Sequence, residues 1–571
     1  MLLNAIKTQV ETRLESSLHN QVYIIPEQDK NPNQVEHPWS IEVKSGSKPK
    51  VRLPKNTHII TVFDQPGIDG RLLILGQPGA GKTTMLLELA KKLMERAEND
   101  LNEPIPILLS LSSWQNDQQS ITDWIVAELN SGKYYNVRKD ITKQWLEEGE
   151  IIPLFDGLDE LAAPRQEQCV KKLNEFLQPG NWMYPLVVCS RIEEYQLYST
   201  QLALNSSLEL QPFSDEQIQE YLERTGNEQL GNSIQDDQQL RQLAQTPFLL
   251  NIIVLSCQKL PLDKWQELES SAERIDYLLS TYVEVMLERG YDGQRPSDEK
   301  QTKRWLSWLA GKLIEKNKTE FFIENMQLSV LNKDYPKLKF YKFIVILIFT
   351  IITLPIFTVS GALNDRLVYG IISGMFTGVI LGIIVSKIPR INTIENLNFS
   401  WNKFKQNPTG DIITGFGTGI LVWFIEGQKI KGFLLGPILW LVIRITNAFY
   451  SSEIEVKLVA NQGIKRSATH ACFIGLVVGL ISGLSFGFVD KLIIGLTSGL
   501  CFGLFFGLIS GGITCIQHFS LRLILCVNKQ IPWDYARFLD YATDRLFLQR
   551  VGGGYRFMHD LLRQHFAENY R

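Results

Sequence analysis

At 571 residues the chain is too long for one hydrophobic core, and about two to four domains are expected. A formal net charge of −3 gives no basic footprint, so no nucleic-acid partner is expected. The seven cysteines (Cys169, Cys189, Cys257, Cys472, Cys501, Cys515 and Cys526) form no CxxC pair, which argues against a zinc site or disulfide framework and for a reducing compartment.

Residues 1–57 open with an amphipathic helix whose apolar face is marked by Leu3, Ile6, Val10, Leu14 and Leu18. A polar connector containing Pro, Asn and Lys follows. No basic segment leads into an apolar core, so no signal peptide is expected.

From 58 to 212, apolar strand runs alternate with helical stretches. The runs are Leu72–Leu75, Ile105–Leu111, Ile151–Phe155, Leu186–Cys189 and Leu208–Leu210. Such alternation predicts an α/β domain with a parallel sheet and helices on both faces. Gly76-Gln77-Pro78-Gly79-Ala80-Gly81-Lys82-Thr83 fits G-x-x-x-x-G-K-[ST] and lies between the first strand and a helix running from Thr84 to Leu93. Its glycines let backbone N–H groups curl around the β-phosphate, and the helix N-terminus adds to that field. Lys82 is expected at the β- and γ-phosphates, and the Thr83 hydroxyl on Mg²⁺.

The strand Ile151–Phe155 delivers Asp156-Gly157-Leu158-Asp159-Glu160 to its carboxyl end, where ligands bind in open α/β sheets. Asp156 is expected to hold Mg²⁺ through water, and Asp159 or Glu160 to orient or deprotonate the attacking water. The strand Leu186–Cys189 ends in Ser190-Arg191. Arg191 is placed either to sense the γ-phosphate and neutralise transition-state charge, or to form a surface ion pair. Guanine would call for N-K-x-D; Asn332-Lys333-Asp334-Tyr335 fails that pattern and lies outside the sheet run, so ATP is preferred.

Residues 213–295 read as a helical domain that starts at Ser214, an N-cap, and 296–338 as a further helical and strand-like part. From 339 to 522 the composition turns apolar. Phe343–Asn364, Leu367–Ser386, Ala471–Val489 and Leu492–Leu521 carry no charged side chain, and each is long enough to span a bilayer. Ile412–Ile425 and Gly432–Ile443 are shorter, either two further spans or one re-entrant hairpin; six spans in all are expected. Loops assigned to the cytosol then carry seven Lys and Arg residues against four outside. Three glycine series at every fourth position run through these spans: Gly370 to Gly382, Gly475 to Gly487 and Gly495 to Gly511. Glycine at that spacing gives a flat helix face that lets backbones approach closely, within one bundle or between protomers. Residues 523–571 are polar again, with a β-hairpin predicted across Gly552-Gly553-Gly554.

Gly76–Thr84, Asp156-Gly157-Leu158-Asp159-Glu160 and Cys189-Ser190-Arg191 together resemble a NACHT-type domain of the STAND signalling ATPases. The likeness extends to Ala244-Gln245-Thr246-Pro247, similar to the segment whose proline packs on adenine, and to Met558-His559-Asp560, similar to the winged-helix motif whose histidine reaches ADP phosphates. It implies an α/β P-loop NTPase with helical and winged-helix-like domains, the latter split around an α-helical transmembrane bundle. The overall pattern is close to bacterial membrane-embedded NACHT proteins. The implied cofactors are ATP/ADP and Mg²⁺. The implied activity is a slow ATPase acting as a switch, homo-oligomeric when ATP-bound, answering an unidentified trigger, with bacterial defence as the implied setting. The implied location is the inner membrane, with the lipid bilayer as partner and both termini cytoplasmic. An ATP-driven transporter and a membrane-anchored remodelling ATPase are the alternatives. Against the first stand the missing L-S-G-G-Q signature and spans without Asp, Glu or Lys.

Overall fold

The computed structural model describes residues 2–15, 40–45, 51–52, 57–131, 135, 137–259, 262–290, 295–331, 335–363, 365–391, 440, 444, 460–489 and 492–570. The chain divides into two compact units, one of residues 1–321 with 536–571 and one of residues 322–535.

In the first unit, α1 (Leu2–Glu15) precedes β1 (Ser40–Ser45) and β2 (Val51–Arg52). The α/β core follows with β3 (Arg71–Gly76), α2 (Lys82–Asn99), β4 (Ile105–Ser110), β5 (Ile151–Asp156), β6 (Leu186–Arg191) and β7 (Ser206–Gln211). The sheet runs β2-β1-β7-β3-β6-β5-β4, and the five strands from β7 to β4 are parallel. These are the five runs expected from sequence. Their near-continuous apolar character has its physical reason here: β3, β4, β5 and β6 are buried along almost their whole length. Because β6 lies between β3 and β5, the carboxyl ends carrying Gly76, Arg191 and Asp156 sit side by side, with Gly76 in register with Arg191.

The N-terminal segment differs from expectation twice. The buried stripe of α1 is Leu2, Ala5, Ile6, Gln9, Val10 and Arg13, while Leu3 and Leu14 are only half-buried and Leu18 lies outside the described residues. Gln9 and Arg13 are polar members of that stripe, so a purely apolar period finds its centre at Ile6 and Val10 but misses its polar edge. The connector also holds β1, which pairs antiparallel with β7 from Ser40↔Gln211 to Ser45↔Ser206. Its only sequence signal is the alternation Ile41, Val43 before a Ser-Gly-Ser turn.

A helical region follows, opened by Ser214 in a capping box with Gln217. It includes α3 (Pro247–Ser256), with proline in its first turn, and is followed by α4 (Glu299–Glu315). Three short strands, β8 (Glu320–Phe321), β9 (Leu548–Val551) and β10 (Gly554–Phe557), form a separate sheet in the order β8-β10-β9. The strand-like part expected within 296–338 is thus only two residues long, because Ile323–Asn325 turns into a 3-10 helix. Tyr555 pairs with Phe321 and Arg556 with Glu320, joining segments more than 200 residues apart. The C-terminal helix Asp560–Asn569 packs on α4, and Phe566 sits at ring distances of 5.5 Å from Phe547 and 5.8 Å from Phe557.

The second unit contains α5 (Tyr335–Leu363), α6 (Leu367–Ser386), α7 (Gln462–Val489), α8 (Leu492–Gly507) and α9 (Ile513–Val527). Among the described residues, four helical stretches are long and apolar enough to cross a membrane: Tyr335–Leu363, Leu367–Ser386, Gln462–Leu484 and Gly495–Val527. The two shorter runs, Ile412–Ile425 and Gly432–Ile443, lie outside the described residues except for Trp440. The uncharged run Leu492–Leu521 is not one straight helix: a wide turn over Leu508–Gly512 kinks it, with Gly511 at φ 128°. Nδ1 of His470 lies 2.8 Å from the Ser510 carbonyl oxygen at that kink.

The glycine series join helices within hairpins. A Cβ on Gly378 would meet the Thr350 Cα at 2.5 Å, and one on Gly382 the Ile346 Cα at 2.5 Å, so α6 lies backbone-to-backbone on α5. In α7 and α8 the series face each other, and a Cβ on Gly499 would meet the Gly479 carbonyl oxygen at 2.6 Å. The close approach that the spacing predicts is therefore used inside the chain.

Candidate functional site

The loop between β3 and α2 is shaped by two left-handed glycines, Gly79 at φ 79° and Gly81 at φ 95°. A side chain at either position would be strained, and at Gly79 it would also collide with Thr246 and Phe248. Pro78, Gly79, Gly81, Lys82, Thr83 and Thr84 line a cavity at the carboxyl end of the sheet. Gly76 and Gln77 lend carbonyl oxygens to Lys82 Nζ at 2.8 and 2.9 Å, while Ala80 is buried behind the loop. Burial pushes the Lys82 ammonium below its usual range, opposed by the charge of Asp159. A cation held this way, at a helix N-terminus with nearby N–H groups, is a phosphate cradle.

Across the cavity, Thr83 Oγ1 donates to Asp156 at 3.0 Å. One hydroxyl and one carboxylate at this spacing are hard oxygen donors, suited to a Mg²⁺ that takes its remaining ligands from water and phosphate. Among the described residues no group of three or more His, Cys, Asp or Glu side chains forms a protein-only metal cage. Asp159 is committed to Arg191, with its Oδ2 2.9 Å from Nε and its Oδ1 accepting from the backbone N–H at 3.0 Å. Among the described residues, no cation forms an ion pair with Glu160. Burial first, and then the charges of Asp156 and Asp159, hold its carboxyl well above the usual carboxylate range.

Arg191 goes beyond a surface ion pair, one of its two expected roles. Its Nη2 lies 3.0 Å from Asp560 Oδ2, so one guanidinium bridges the end of β5 to the C-terminal helix. Burial opposes its charge, yet Asp159 and Asp560 outweigh that and hold it above its usual range. His559 stacks on Phe248 with ring centroids 4.0 Å apart. Its Nδ1 accepts from the Leu561 N–H at 3.2 Å, leaving Nε2 turned to Gly79. Burial drives the His559 imidazole down to about 3, so it is neutral at physiological pH. Pro247 lines the same cavity beside Phe213, Phe248 and Asn251, an apolar end fit for a flat base.

Residues 71–229 match the family model described as NACHT domain. This segment is a NACHT domain. As a P-loop NTPase domain, it belongs to a nucleotide-binding fold. Among solved structures, the chain matches Cdc6p of Pyrobaculum aerophilum at 15% identity over 46% of this chain and 72% of that chain, with a TM-score of 0.23. It matches the Orc1 protein of Aeropyrum pernix, solved in complex with DNA, at 13% identity over 47% and 71%, with a TM-score of 0.24. No curated protein matches.

The NACHT domain supplies the P-loop, the acids and Arg191, while the cavity is completed from outside it by Pro247, Phe248, His559 and Asp560. Three arginines at the cavity, Arg13, Arg556 and Arg563, have no counterpart in the sequence reading. Arg13 was legible only as a cation on the buried stripe of α1, and Arg556 only as a charge in an otherwise buried hairpin strand.

Proposed function

We propose that the chain is a nucleotide-operated switch: a NACHT ATPase of the STAND type that binds ATP and hydrolyses it slowly. Its nucleotide state sets self-assembly and acts on a membrane-embedded helical bundle, a role suited to bacterial defence. The bundle would lie in the inner membrane with both termini cytoplasmic.

The observation that carries this reading is the clasp Asp159–Arg191–Asp560, which ties an acid of the hydrolytic loop to the C-terminal helix. An arginine engaged on both sides is withheld from a γ-phosphate, as a resting state requires. Glu160, with its carboxyl pushed up, tends to keep its proton and is a poor base in this arrangement. Together these support very slow basal turnover. Lys82 and the loop N–H groups would hold the phosphates, Pro247 and Phe248 the base, and His559 Nε2 would donate toward the phosphate side of Gly79. Thr83 and Asp156 would hold Mg²⁺, which supplies charge neutralisation for phosphoryl transfer.

The link to the membrane follows from chain order. The chain leaves the first unit at Phe321, the last residue of β8, and re-enters it at Ala536, ahead of β9 and β10, which share a sheet with β8. Movement of that sheet would draw on both ends of the inserted unit. The test is to purify the full chain in detergent and to identify its bound nucleotide and assembly state. The reading expects unassembled, ADP-loaded protein at rest and assembly with ATP; rapid continuous turnover with no change of assembly would overturn it.

A further inference from the structure

Asp156, the carboxylate placed to share Mg²⁺ with Thr83, is flanked by guanidiniums from opposite ends of the chain. Arg13 Nη2, on α1, and Arg556 Nη1, on β10, each lie 3.9 Å from the same oxygen, Oδ2. Their side chains are only 5% and 19% exposed, and both line the nucleotide cavity. A buried and a half-buried cation beside one another repel, and negative charge at Asp156 and Glu320 offsets this at Arg13. Burial first, and then the charge of Arg556, push the Arg13 guanidinium down to about 10. Two guanidiniums thus face the Asp156 carboxylate.

We propose that Arg13 and Arg556 stand in for the charge of the divalent cation in this closed arrangement, so that Mg²⁺ loading at Asp156 opposes the seating of α1. The inference rests on the nucleotide-site reading above. A cation ligated near Asp156 competes for Oδ2 and meets two fixed positive charges. The element that yields is α1, which brings one of those charges and sits against α2, β4 and β9. Its polar seat is the Lys7–Glu98 pair at 2.7 Å and a hydrogen bond from the Tyr135 hydroxyl to Gln9. The N-terminal helix thereby reads the metal-nucleotide state directly. Linkage is reciprocal: whatever factor α1 takes from Mg²⁺ affinity, Mg²⁺ takes from the seating of α1.

The experiment uses the full chain in detergent and a fluorescent ADP, titrated with and without Mg²⁺, for the wild type, Arg13→Gln, Arg556→Gln and Arg13→Lys. In the wild type, Mg²⁺ should change ADP affinity by less than about threefold, and in either Gln variant it should tighten binding by about tenfold. Arg13→Lys, which keeps the charge, should behave as wild type, and Arg556→Gln decides the matter should Arg13→Gln not fold. Hydrogen exchange of residues 2–15 in the wild type should rise when Mg²⁺-ATP replaces ADP. The same Mg²⁺ dependence in all four proteins, with nucleotide binding intact, overturns the proposal. So does a loss of ATP affinity relative to ADP with Mg²⁺ coupling unchanged, which would make the arginines phosphate contacts. A wild type that binds no nucleotide at all would sink the underlying site reading instead.

Discussion

Glycine does opposite work in the two units. At the P-loop, Gly79 and Gly81 adopt left-handed backbone that bends the chain around a ligand. In the apolar hairpins, Gly378, Gly382, Gly479 and Gly499 are ordinary helical residues whose missing side chain lets two backbones touch. The first use builds a concave polar site from loops, and the second a flat apolar contact between helices. A nucleotide site needs convergence of charge from distant segments; a tight hairpin needs only a local repeat.

The sharpest way to break the first half of this comparison is Lys82→Ala. It removes the cation held over the P-loop and should weaken ATP binding by about 10²-fold or more while leaving the hairpins intact. Titration with a fluorescent ATP, alongside thermal unfolding in detergent, checks both halves at once. Glu160→Gln should retain ATP binding yet slow single-turnover hydrolysis by about 10²-fold. Because the Glu160 carboxyl is pushed up in the closed site, and a base must be ionised, wild-type hydrolysis should rise with pH beyond the ordinary carboxylate range. The Gln variant should lose that dependence in a pH-rate profile.

The second half is tested by Gly378→Leu. A Cβ there would come within 2.5 Å of the Thr350 backbone, so the substitution should cost about 1–3 kcal/mol or more of hairpin stability. Thermal unfolding in detergent should fall while ADP affinity stays at the wild-type value. His559→Ala carries a smaller expected effect. It removes a neutral donor facing Gly79 and should raise the ADP off-rate by about tenfold, read by stopped-flow displacement.

What the sequence made legible follows the same divide. The P-loop, the acids after β5 and Arg191 are runs of neighbouring residues, so their chemistry is written locally. The four-residue glycine period is local too. Arg13 and Arg556 are 543 positions apart, and nothing near either one indicates that both approach Asp156. The strand β1 was hidden for a related reason: with Ile41 and Val43 as its only apolar residues, its partner β7 rather than its own composition defines it. The kink at Gly511 escaped because a glycine in the four-residue series reads as a packing residue, whereas its φ of 128° makes it a break.

The central claim is that the Arg191–Asp560 clasp closes the C-terminal helix over the NACHT domain at rest and releases it with ATP. Spin labels at Glu193→Cys and Glu568→Cys, both exposed positions, in a background with the seven native cysteines replaced, report that distance directly. Pulsed dipolar spectroscopy should give one narrow distance with ADP and a second, longer population with Mg²⁺-ATP. An identical distance distribution in every nucleotide state would contradict the account.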